Sequence, residues 1–350
     1  MKKNSFLIFL LFIYSLKVSA QIDDTIRLNQ YKVLASHNSY KKNPNPKVIK
    51  FLSKFKKQLG ESNDPEQMDY GHLPLPQQFD DYNIRGIEID VNYDPKGGLY
   101  YKRKVNKLIG GLRQKVKDPL MKQSGFKVLH IADVDYETNY LTFKQVLIEL
   151  KNWSNAHPNH TPIFVNIESK GFNPGDESRF LRFLGFKRAL QFNDQAFLDL
   201  DQEILEVIPA DKIYKPMDLK GNYTTIKERL DQQGWPLLSN CLGKFIFILE
   251  GNNQDFYQKN TVNRPMFVYS QPNGDNTAFV VKNDPIGHEY EIEALTKSYI
   301  VRTRSDTGTL EARANDYTRH NAAVKSGAQI ISTDYYKADP RMGTFVIKLK

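Results

Sequence analysis

The chain has 350 residues, a quarter of them charged and 12% aromatic, with a formal charge of +9 and a single cysteine. That composition excludes a disulfide-stapled, a low-complexity and a disordered chain, and the length suffices for one large core or two smaller ones. The positive excess suits an anionic surface, but no nucleic-acid-binding signature accompanies it, so nucleic acid is not an expected partner.

In chain order, Lys2 and Lys3 precede an apolar run from Phe6 to Tyr14, and Val18-Ser19-Ala20 offers small residues ahead of Gln21. This is the pattern of a signal peptide, 1–20, cleaved near Ala20-Gln21, and the run is too short to span a bilayer. The expectation is a protein secreted or delivered to the periplasm, with residues 21–350 as its mature domain. Loss of the leader removes three lysines and no acid, so the formal charge drops from +9 to +6.

Eight short runs rich in branched and aromatic residues then predict strands: 31–35, 86–91, 127–131, 162–167, 245–249, 266–269, 299–301 and 329–332. Several are continuously apolar, as in parallel strands covered on both faces. Helical spacing links Phe143, Val146, Leu147 and Leu150, then Leu198, Ile204, Leu205 and Ile208, and a third helix is expected over 312–324, closed by Gly327. No Gly-rich phosphate loop follows any strand, and no linker divides the chain. The alternation predicts an α/β fold, a TIM-type (β/α)8 barrel in a single domain. Cys241, just before the fifth run, is expected to be a small buried residue.

Polar residues gather where four of these strands end: Ser36-His37-Asn38-Ser39-Tyr40, Glu88-Ile89-Asp90, Leu129-His130-Ile131-Ala132-Asp133 and Asn166-Ile167-Glu168-Ser169-Lys170. Residues two apart on a strand share a face, so Glu88 and Asp90 point the same way. Two carboxylates inside a barrel need a cation or protons. Asn38, Glu88, Asp90 and Glu168 form an all-oxygen set that selects a hard cation, calcium or magnesium, and leaves His37 and His130 free for chemistry. A lone Glu-x-Asp is more often half-exposed than metal-bound; four such motifs in order form the signal.

That order, His-Asn, Glu-x-Asp, His and Ile-Glu, resembles the catalytic half of phosphoinositide-specific phospholipase C, and most of all its calcium-dependent secreted bacterial branch. Lys127 to Asp135, Gly234-Trp235-Pro236, Arg302-Thr303-Arg304 and the stretch 327–335 extend the resemblance over the mature chain. It implies calcium, ahead of magnesium, on Asn38, Glu88, Asp90 and Glu168. It also implies His37 stabilising charge on the phosphate, His130 protonating the leaving diacylglycerol, and a cyclic inositol phosphate as first product. The proton acceptor for the inositol 2-hydroxyl is left open between His37 and a metal-bound carboxylate. Lys170, Arg302, Arg304 and Asp334 are candidates for the substrate-binding rim. The implied partner is a phosphoinositide or a glycosyl-phosphatidylinositol lipid at a membrane surface, with no obligate protein partner. The regulatory modules of the eukaryotic relatives are missing. The loop from Tyr101 to Lys117, with seven basic residues and apolar positions Val105, Leu108, Ile109, Leu112 and Val116, is expected either to dock on anionic lipid or to pack its stripe on the barrel.

Two other readings compete. A glycerophosphodiester phosphodiesterase shares such a site but usually has Arg-Gly after the first histidine, where this chain has Asn38, a ligand arginine cannot be. A non-catalytic calcium-dependent lipid-binding module is disfavoured by the retention of both histidines.

Overall fold

The computed structural model describes residues 25–59, 64–251 and 253–349; the expected leader, 1–20, lies outside them. Among the described residues nine strands form one sheet: β1 (Val33–Ser36), β2 (Gly86–Asp94), β3 (Gly125–Val128), β4 (Ile163–Ser169), β5 (Phe245–Gly251), β6 (Phe267–Val268), β7 (Phe279–Val281), β8 (Ile300–Arg304) and β9 (Ile330–Thr333). Eight run parallel in the order β6-β5-β4-β2-β1-β9-β8-β7, and a parallel bridge from Tyr269 to Phe279 brings the two ends together. The result is the expected TIM-type barrel, with helices around it.

Two strand assignments need correction. The run 127–131 is not a barrel strand: β3 pairs antiparallel with the overhanging end of β2, Val91 opposite Val128 and Asp94 opposite Gly125. The eighth barrel strand is β7, which the sequence reading missed because no helix separates it from β6 and the connecting loop 270–277 is polar. The helices at Phe143–Ala156 and Asp194–Val207 fall where expected, although Leu198 and Leu205 are exposed and Phe197, Leu200 and Ile204 face inward. The expected helix over 312–324 is two, Leu310–Ala314 and Thr318–Lys325, broken where Asn315 turns left-handed at φ 51°. Cys241 is buried, as expected.

Alternation along the strands sorts the side chains. Ile87, Ile89, Val91, Val165, Ile167, Phe247 and Leu249 join the surrounding helices in one core. Ala35, Phe164, Ile246, Ile248, Ile300 and Ile330 belong to a second core with Leu28, Trp235 and Leu238. There Gly86 lies so close to β1 that an added Cβ would stand 2.6 Å from the Ala35 methyl. Further along the same strands the residues on this inner face become Glu88, Asp90, Asn166, Glu168, Glu250, Arg302 and Arg304.

At the end of the 143–156 helix, buried His160 donates from Nδ1 to the Thr161 carbonyl (2.7 Å) and accepts the Ser154 hydroxyl at Nε2 (3.0 Å). Burial lowers its pKa to about 4. The unfolded chain takes up this proton near pH 6.5 and the folded protein only near 4. Stability present above pH 6.5 is therefore lost as pH falls through that window, by about 3 kcal/mol at most. In a melting series from pH 7 to 4, His160→Asn should be less stable throughout yet lose less Tm on acidification than the parent; parallel curves would refute the assignment.

Candidate active site

The strand register places the acids. Asp90 on β2 sits directly opposite Glu168 on β4, and Glu88 opposite Asn166. Oxygens of Glu88, Asp90 and Glu168 all lie within 4.8 Å of one another. Burial pushes the Asp90 carboxyl well above its usual range; the Lys170 ammonium opposes the rise, and Glu168 and Glu88 add to it. Lys170 Nζ stands 2.9 Å from Glu168 and 3.1 Å from Asp90. Burial works against ionising Glu168 too, but this ammonium outweighs it and holds the group below its ordinary value. Glu88 turns Oε2 to the Arg302 guanidinium and to Asn166 Nδ2 (3.3 Å), while Oε1 lies 3.5 Å from His37 Nε2.

His37 and Asn38 reach the same space because β1 ends in a turn with Asn38 left-handed, φ 47°, a conformation asparagine tolerates. Asn38 Oδ1 accepts from the Tyr40 hydroxyl (3.2 Å) and Nδ2 donates to Tyr70 (2.8 Å). His37 Nδ1 bonds Asp334 Oδ1 at 2.8 Å, and Nε2 accepts from Arg304 Nη1 at 3.1 Å. Burial, reinforced by the Arg304 charge, lowers the His37 pKa well below that of a free imidazole, so the ring is neutral with its Nε2 lone pair turned to Arg304. Asp334 is held in turn: its carboxylate accepts from Arg304 Nη2 (2.9 Å), and its backbone N–H donates to Asp306 (2.8 Å).

His130 follows β3 in a tight turn closed by reciprocal backbone bonds between Ile131 and Asp135, each 2.9 Å. The turn brings Asp135 Oδ2 to 2.8 Å from His130 Nδ1. Buried Lys41 Nζ lies 3.2 Å from the same carboxylate. Burial would raise the Asp135 pKa, but Lys41 and His130 together hold it below the usual value.

The structure thus brings together His37, Asn38, Glu88, Asp90, His130, Glu168, Lys170 and Arg304. Two expected rim residues sit elsewhere. Arg302 is buried beneath the cluster, paired with Glu88 and, at 3.2 Å, with Glu250. Asp334 is wholly buried behind His37. Asp133 is spent on backbone amides, those of Lys104 (2.9 Å) and Lys187 (2.7 Å). Asp135 and Lys41 were missed; an acid five residues after a histidine is too common a pattern to read without the turn.

The donor set fits a hard cation. The three clustered groups are carboxylates, and Asp90 Oδ1 is buried without a hydrogen-bond partner. Around that point stand two imidazoles, each fixed by a buried carboxylate, an arrangement able to take one proton and give another.

The family model for calcium-dependent phosphoinositide phospholipase C matches residues 26–350. No curated protein sequence matches. The fold is similar to that of a calcium-dependent phosphoinositol-specific phospholipase C from a Pseudomonas species. That likeness has a TM-score of 0.52 and 15% identity over 89% of this chain and 91% of the other. It is also similar to the calcium-dependent phosphatidylinositol-specific enzyme of Streptomyces antibioticus (TM-score 0.50, 15% identity, 91% and 97% covered). A barrel whose mouth carries three clustered carboxylates and two histidine–aspartate pairs agrees with the family match over nearly the whole chain, and the protein belongs to the calcium-dependent phosphoinositide phospholipase C family.

Proposed function

We propose that the two histidines divide the acid–base work of phosphoinositide cleavage, with His37 as base and His130 as acid, beside a calcium ion held by Asn38, Glu88, Asp90 and Glu168. The observation that carries this is the pair of 2.8 Å bonds from each ring to its own buried carboxylate, Asp334 and Asp135. When bound, calcium supplies positive charge that acidifies the inositol 2-hydroxyl and offsets charge on the phosphate. His37 Nε2 takes the 2-hydroxyl proton as that oxygen attacks phosphorus. Asp334 steadies the imidazolium so formed, as in other histidine–aspartate pairs. Arg304, with Nη1 at this nitrogen and a buried unpartnered Nε, donates to a phosphate oxygen. His130 protonates the diacylglycerol oxygen as its bond to phosphorus breaks, leaving cyclic inositol phosphate. Water can then open the ring with the two roles exchanged.

The exported location rests on the leader pattern at 1–20. Among the described residues no helix is long and apolar enough to cross a membrane.

Exported protein, expected to begin at Gln21 by mass spectrometry, should release diacylglycerol and cyclic inositol phosphate from phosphatidylinositol vesicles with calcium and not with a chelator. Turnover of glycerophosphoinositol alone would reverse the choice between the two phosphodiesterases.

Asp334→Asn keeps the shape but lets His37 adopt the wrong tautomer, so kcat should fall by about three to four orders of magnitude with little change in KM. A rise in KM at constant kcat would return Asp334 to the substrate-binding role.

Lys170→Met removes the ammonium between Asp90 and Glu168. Partial exposure of the lysine reduces the cost of breaking such a pair to about 2–3 kcal/mol, visible as a lower Tm in chelator that calcium restores. An unchanged calcium-free Tm would show that the pair does not hold the cluster.

A further inference from the structure

Two residues beyond Lys170 the chain leaves the barrel mouth and shows solvent three phenylalanines: Phe172 is 55% exposed, Phe180 67% and Phe183 86%. Phe180 and Phe183 lie three apart on the short helix Arg179–Phe183 and so share a face, with exposed Arg179 and Arg182 beside them. Single exposed apolar residues are ordinary on a soluble protein; three aromatic rings on one short segment, interleaved with arginines, are not.

The segment is also firmly seated. Gly175 N–H donates to the Lys187 carbonyl (2.8 Å), close enough that a Cβ on Gly175 would stand 2.4 Å from that oxygen. Asp176 accepts from the Ala189 amide and from Arg188 Nε, both at 2.8 Å. Two bonds fix it to the His130 turn. Asn173 Oδ1 accepts from the Ala132 amide (3.2 Å), and Asp133 joins the Lys187 amide to the Lys104 amide. Through Lys104 the basic loop 101–117 is tied to the same turn. Its expected long amphipathic helix is only Lys104–Ile109, stopped by Gly110 and Gly111 at φ 72° and 66°. Val105, Ile109, Leu112 and Val116 pack inward with Tyr100, Met121 and Leu129, leaving Leu108 and the charges outside.

We propose that Phe172, Phe180 and Phe183 form a wedge that enters the headgroup–acyl boundary of an anionic bilayer, with Arg179, Arg182 and the basic loop pairing with lipid phosphates around it. This rests on the phospholipase reading. The occupant is a lipid surface because the surface adjoins the site. The bond to be broken sits at the headgroup plane of a membrane lipid, so the barrel mouth must meet that plane while the acyl chains stay in the bilayer. Rings at the mouth then exchange water for lipid, and the arginines meet the charge found there. The basic loop acts as electrostatic surround rather than as the inserting element.

The test uses the exported protein, vesicles of phosphatidylcholine with about 30 mol% phosphatidylserine, an anionic lipid lacking inositol, and monomeric short-chain phosphatidylinositol. Phe180→Ser/Phe183→Ser, exposed positions whose Tm should not move, is expected to lower vesicle binding about tenfold or more. It should lower turnover of phosphatidylinositol vesicles in parallel and leave turnover of the monomeric lipid unchanged. Arg179→Gln/Arg182→Gln should weaken binding to the anionic vesicles and not to pure phosphatidylcholine. Unchanged vesicle binding in the phenylalanine variant overturns the wedge. So does a parent dimer that the variant abolishes while vesicle binding persists, since the face would then join two copies of the chain. Absence of turnover by the parent on either substrate counts instead against the phospholipase reading, and the phosphatidylserine vesicles still decide docking.

Discussion

Glu88, Asp90, Asp135, Glu168, Glu250 and Asp334 crowd the mouth of this barrel, and each of them faces a cation fixed to the same framework. Arg302 lies between Glu88 and Glu250, Lys170 between Asp90 and Glu168, Arg304 on Asp334 and Lys41 on Asp135. Unpaired, each buried acid would take up a proton or force the strands apart, because transfer of a charge from water into such surroundings is costly. The pairing offsets part of that cost, as the Lys170 ammonium does for Asp90 against burial, and carboxylates so supported are ligands a calcium ion can take. Arg302 and Arg304 come from one strand, two residues apart, so a single strand face supplies the counter-charge both for the metal cluster and for the His37 support.

That arrangement depends on register. Along β2, β4, β5, β8 and β9 the inward positions change from Phe164, Ile246, Ile300 and Ile330 to charged groups within one or two residue pairs. The apolar level plugs the barrel; the polar level above it is the site. A slip of one residue in β2 or β4 would turn acids toward the helices and Ile89 or Ile167 toward the site, so packing and site select the same register.

How much of this could be read from the sequence follows from how local each signal is. Glu88 and Asp90 were legible because Ile87, Ile89 and Val91 fill the alternate positions, and the barrel was legible from repeated apolar runs. β3 was misplaced because an apolar run does not tell which neighbour it pairs with, and β7 was overlooked because a strand without a following helix breaks the alternation. Arg302 and Asp334 were recognised as belonging to the site but given the wrong place in it. Their depth follows from pairings that span 214 residues to Glu88 and 297 to His37, and no local pattern encodes those. The phenylalanines at 172, 180 and 183 carried no sequence signal either, since an exposed ring and a core ring look alike in a string of letters.

The two histidine–aspartate pairs share one geometry, yet their surroundings differ in the direction that the proposed division of acid and base requires. His37 is enclosed, and the guanidinium of Arg304 donates to its Nε2, which occupies the lone pair without protonating it; burial and positive neighbours both favour the neutral base. Among its described contacts His130 has no guanidinium at its outer nitrogen, and its Nδ1 faces the Asp135 carboxylate at 2.8 Å. Lys41 Nζ shares that carboxylate at 3.2 Å, so its charge is divided between the two. A neutral imidazole beside a guanidinium and a second imidazole backed by a carboxylate suit the division of labour proposed for phosphoryl displacement, since one oxygen must lose a proton as another gains one. The turn that carries His130 is also the turn to which both Asn173 and Asp133 fasten the surface segments, so the proposed acid stands on the same support as the rings proposed to meet the membrane.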